Sequence, residues 1–151
     1  MTVLLGNKFS ISASTLCLLV MCALPKTWGA VRESQATGVF INEDHAKVQI
    51  NVISKDKKEA AEMILAPEAI ERSVLFAGGE VKLYTPSKDV VSGRLLFSRS
   101  LPTPSTASEF MERSTRTFYF RVRDRKITLV KPKDLTSTER RWLMERTKAG
   151  W

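Results

Sequence analysis

The chain has 151 residues, with 24 Lys and Arg against 16 Asp and Glu, 43% hydrophobic residues, two cysteines and a single histidine. That length and balance suit one globular domain with its own apolar core. With one histidine, and with both cysteines (Cys17 and Cys22) close to the N-terminus, the composition offers neither a zinc ligand set nor a Cys-His nucleophile pair.

The N-terminal stretch reads as an export signal. Only Lys8 is charged before the apolar or small-polar run Ile11–Ala23, which is too short for a spanning helix of about 20 residues. Pro25 breaks the run, and small residues at Thr27 and Gly29 predict cleavage before Ala30. A lipoprotein box at Leu19–Cys22 would need a smaller residue than Met21. Cleavage removes both cysteines and leaves one domain over residues 30–151, held by its apolar core or by a partner rather than by disulfides.

Gly38–Asn42 and the strictly alternating Lys47–Val52 predict a first hairpin, with Val48, Ile50 and Val52 on one face. Asp56 followed by Glu59 has capping-box spacing, and Ala60, Met63, Ile64 and Leu65 give a helical stripe ended by Pro67, with a strand over Glu62–Leu65 as the other reading. Val74–Ala77 and Glu80–Tyr84 flank Gly78-Gly79, which predicts a tight hairpin turn. Val90-Val91 and, past Gly93, Leu95–Phe97 follow as short strands, and Leu101–Ser108 reads as a surface loop with nothing to bury.

The last hairpin is specified in register. A turn at Asp124-Arg125 sets Val122 opposite Ile127 and Phe120 opposite Leu129, with Phe118 extending the apolar face. The opposite face presents Tyr119, Arg121, Arg123, Lys126 and Thr128. Thr136–Glu139 then has capping-box spacing before a terminal helix in which Trp142 anchors the core, and Trp151 ends the chain. Six or more short strands spaced by turns, with one or two short helices, the last at the C-terminus, predict a mainly β protein: an antiparallel β-sandwich or small barrel.

Charge is unevenly distributed. Arg113–Trp151 carries 12 basic and four acidic residues, whereas residues 30–112 carry 10 and 12. A basic C-terminal third favours an anionic partner, and outside the cytoplasm that means an acidic protein or an anionic envelope surface rather than nucleic acid. Tyr119, Arg121, Arg123 and Lys126 are the candidate binding residues, since guanidinium groups present planar donors to carboxylates. The same face also suits a charged guard against strand-to-strand aggregation.

No catalytic constellation stands out. Glu43, Asp44 and His45 are consecutive at a strand end, where side chains diverge, so they read as a solvated turn rather than a metal site. Gly78-Gly79 lacks the Lys-Ser/Thr and helix start of a phosphate loop. No metal, cofactor or enzymatic activity is expected.

Signal peptide, extended segment Val31–Thr37 and sandwich-sized domain together resemble the layout of bacterial fimbrial subunits. That resemblance implies subunits that complete one another by lending an N-terminal strand. The absence of a mature cysteine and of a terminal strand departs from the pattern and favours an accessory or minor structural protein of a fimbria or secretion apparatus. The alternative is a soluble periplasmic module that holds an anionic partner on its basic face.

Overall fold

A computed structural model describes residues 35–86 and 93–151. The expected export segment and the Val90-Val91 strand lie outside the described residues. Among the described residues, no helix is long and apolar enough to cross a membrane.

Among the described residues, nine strands form two sheets, so the sandwich reading is correct and no closed barrel is formed. Sheet A comprises β1 (Gln35–Asn42), β4 (Ile70–Phe76), β7 (Met111–Glu112), β8 (Thr117–Arg123) and β9 (Lys126–Val130). Its order is β4-β1-β8, with β7 and β9 pairing to successive parts of β8. Sheet B runs β3 (Ala60–Leu65), β2 (Val48–Ile53), β5 (Glu80–Tyr84), β6 (Leu95–Ser100). All pairings are antiparallel except β1 with β8, which is parallel.

Alternation builds the core. Phe40, Phe118, Phe120, Val122 and Ile127 of sheet A meet Val48, Ile50, Val52, Val81 and Leu83 of sheet B, all buried. Phe40 and Phe120 are direct partners across β1 and β8, and their rings stack at 4.7 Å. The other face of β1 is buried as well: Val39, Ile41 and Ile70 pack with Tyr119, Leu135, Trp142, Leu143 and Trp151. A central strand covered on both faces reads as a near-continuous apolar run, which Gly38–Ile41 is.

The covering element is the C-terminal helix α1 (Ser137–Lys148). The predicted capping box is present: Thr136 Oγ1 accepts from Glu139 N, and Glu139 Oε2 accepts from Thr136 N. Trp142 packs on the sheet as expected, and Trp151 docks beside it with Arg72 over its ring.

Four local expectations are corrected. β1 and β2 form no hairpin; they lie in different sheets, joined by a corner. Gly78-Gly79 likewise carries the chain from β4 in sheet A to β5 in sheet B, with Gly78 at φ 70° and Gly79 N donating to Phe76 O. Gly79 is fixed by proximity, because a Cβ there would stand 2.2 Å from the Ile53 carbonyl oxygen. The predicted helix over 56–65 is instead a turn followed by β3. Asp56 Oδ1 accepts from Lys58 N and Ser54 Oγ, an Asx-type turn rather than a helix cap, and β3 pairs with β2 residue for residue. Leu101, at the head of the loop, is buried in the core.

Corners need their own fastening, and Asn42 supplies it. Its buried amide Nδ2 donates to the carbonyls of Ala46, Leu65 and Ala66, while Oδ1 accepts from Asp44 N. One side chain therefore ties the β1–β2 corner to the β3–β4 corner.

Candidate functional site at the loop end of the sandwich

The register of the last hairpin matches the sequence reading at every pair: Val122 faces Ile127 and Phe120 faces Leu129. Its two-residue turn requires positive φ at both central positions, and Asp124 (φ 52°) and Arg125 (φ 59°) adopt it without a glycine. Such a turn is strained unless something compensates. Asp44 does: its Oδ1 accepts from Asp124 N at 2.7 Å and its Oδ2 from Arg125 N at 3.0 Å. Because Asp44 is itself positioned by Asn42, the tip is locked to the β1–β2 corner.

A cleft of about 450 Å³ opens between these pieces, lined by His45, Lys47, Arg125, Asp44 and Asp124 with Val48, Pro86 and Leu96 as its apolar part. Lys47, Arg125 and the neighbouring Lys126 are exposed and make no ion pair among the described residues. The three consecutive residues weighed as a cation site separate: Glu43 faces arginines, Asp44 holds the turn, and His45 is exposed in the cleft.

The four residues singled out in the sequence divide into two groups. Tyr119 and Arg121 lie at the helix-covered face. Tyr119 is half-buried there, and burial pushes its hydroxyl above the usual tyrosine range. Arg121, with 18% of its side chain exposed, donates from Nε to Glu139 Oε1 and from Nη2 to Glu139 Oε2, both at 2.7 Å, while Glu139 is fully buried. The bond to Glu139 holds the Arg121 guanidinium above its ordinary value. Burial pushes the Glu139 carboxyl up, but the Arg121 hydrogen bonds, the Thr136 N–H and the Arg121 charge outweigh it, so it stays below the usual carboxylate range.

Arg123 and Lys126 lie at the exposed tip. Arg123, 59% exposed, pairs with Glu43 at 2.5 Å, and the same carboxylate oxygen lies 3.7 Å from Arg121 Nε. Arg125 and Lys47 complete the cationic end and are not among the residues read from the hairpin face. Arg125 belongs to the turn, where alternation assigns no face, and Lys47 enters only through the corner that brings β2 beneath the tip.

Comparison of the chain with family models, with curated proteins and with solved structures finds no match.

Proposed function

We propose that this is an exported, non-enzymatic β-sandwich of the cell envelope that engages an acidic partner protein through the cationic loop end. One observation carries the reading: Lys47 and Arg125, the latter on a turn fixed by Asp44, line a cleft with an apolar part, and neither has an ion-pair partner among the described residues, whereas the Asp44 carboxylate in the same lining is taken up by the turn N–H groups and Asp124 is the remaining acid there. A rigid mount with free guanidinium and ammonium groups favours carboxylates, and Val48, Pro86 and Leu96 add the apolar contact typical of a protein interface. The test is capture from envelope extract at low and high salt with mass spectrometry of the retained proteins. Salt-labile retention of an acidic protein, lost when Lys47 and Arg125 are changed to Glu, supports the proposal. Retention that survives both salt and the substitutions overturns it.

A second reading, an accessory subunit of a fimbria or secretion apparatus, is favoured by the edge of sheet B at β3, which pairs only with β2 among the described residues. Gln35–Thr37 are already paired with β4, and Thr37 with β8 as well. That reading therefore rests on an edge able to accept a strand, not on a lent one.

A further inference from the structure

The cleft at the loop end holds the single histidine of the chain. His45 is exposed there, and its ring has no hydrogen-bond partner among the described residues. An imidazole gains a proton, and with it a positive charge, as pH falls from about 8 to about 5.

The charges around His45 come from two elements. The β1–β2 corner, to which His45 itself belongs, supplies Asp44 and Lys47, and the β8–β9 turn supplies Asp124 and Arg125. The described ends of β5 and β6 add no titratable group to the lining. Glu43, one residue before Asp44, is directed to Arg123 and Arg121 instead. With a neutral imidazole the lining therefore holds two bases and two acids, and its formal charges balance; a protonated imidazole makes it net positive. The Asp44 carboxylate is already engaged by the two turn N–H groups. Asp124, which is exposed and has no ion-pair partner among the described residues, is the acid that competes with a partner's carboxylate for Lys47 and Arg125. A charge on His45 offsets that competitor.

We infer that His45 regulates the loop end: proton uptake on its imidazole converts a charge-balanced cleft into a net cationic one, so that an acidic partner is held more tightly at acidic than at alkaline pH. The inference rests on the reading of the loop end as a carboxylate-binding site. Its direction follows from linkage. A bound carboxylate favours the charged imidazole, and the charged imidazole favours the bound carboxylate by the same factor. Binding therefore draws a proton onto the cleft, while Lys47 and Arg125 supply the affinity that remains at alkaline pH.

Calorimetric titration of the protein with poly-glutamate, at about pH 6 and about pH 8 and in buffers of different ionisation enthalpy, tests it. The expected result is an affinity at least about threefold higher at the lower pH, with net proton uptake on binding. His45→Asn should remove both the gain and the uptake. His45→Lys, which places a permanent cation at the same exposed position, should bind at about pH 8 as tightly as wild type does at about pH 6. Wild-type binding that is equal at the two pH values overturns the inference and leaves the cationic end standing. A gain at low pH that persists in His45→Asn also overturns it, because the proton then goes elsewhere. Absence of binding at both pH values overturns the inference together with the reading beneath it.

Discussion

Arg121 and Glu139 join the middle of β8 to the first turn of α1 through two hydrogen bonds of 2.7 Å, and the carboxylate they enclose is sealed from solvent. The same carboxylate closes the helix cap through Thr136 N. Helix start and sheet face are thus fastened by one side chain, which places Trp142 and Leu143 over Val39, Ile41 and Ile70.

Removing one member of a buried ion pair leaves the other charged, desolvated and alone, which costs about 3 kcal/mol or more. Arg121→Ala should therefore lower stability by about 3 kcal/mol, measured by urea unfolding. A loss no larger than that of an exposed arginine such as Arg141 would show that the pair does not fasten the helix.

Glu139 also sets a pH dependence. Its folded-state carboxyl is held below the unfolded value of about 4.3, so its stabilisation is complete above that pH and disappears as pH falls through the folded value. Acid titration should release α1 and shift Trp142 fluorescence toward the solvent-exposed spectrum. Glu139→Gln should be less stable at neutral pH and show a flatter acid limb. An acid limb unchanged by this substitution assigns the titration elsewhere.

Arg125 is predicted to separate stability from binding. Glycine tolerates φ 59° better than arginine, so Arg125→Gly should stabilise the turn by up to about 1 kcal/mol. The same substitution removes a cation from the cleft and should lower affinity for an acidic partner. Asp44→Ala should act in the opposite direction on stability, costing about 1–2 kcal/mol, because two turn N–H groups lose their acceptor. Thermal denaturation of the two variants checks both signs.

Gly38 leaves room on β1 for the Leu75 side chain of β4. A Cβ there would lie 2.6 Å from Leu75 Cδ2, in the core. Gly38→Ala should cost about 1–3 kcal/mol by overpacking, and Leu75→Ala in the same chain should recover part of that loss.

The parts of the fold legible in the sequence are those specified locally. The β8–β9 register emerges because two alternating runs coincide only when the turn is Asp124-Arg125. Helix α1 emerges because a capping box is a short-range chemical signature. Hairpins and sheet-switching corners, in contrast, share one local grammar of strand, turn and strand. Nothing in Gly38–Val52 or Val74–Tyr84 says whether the second strand pairs with the first or crosses to the opposite layer. Asp56–Glu59 had the spacing of a helix cap, but an Asx turn uses the same residues, and the pairing of Ala61, Met63 and Leu65 with β2 decided the outcome. The candidate site was half legible for a related reason. Period-two alternation places Arg121 and Arg123 on one face, yet Glu139, 18 residues beyond Arg121, determines which of them is covered.

The central claim is that Lys47 and Arg125 form an anion-binding end. It is tested most directly by titrating the protein with poly-glutamate at about 0.1 M and about 1 M salt, where the Debye length falls from about 10 Å to about 3 Å. Lys47→Glu/Arg125→Glu is the variant compared with wild type. The account predicts wild-type binding that weakens at least tenfold with salt and is abolished in the variant, with thermal stability little changed. Equal binding by wild type and variant, or no binding by either, would contradict it.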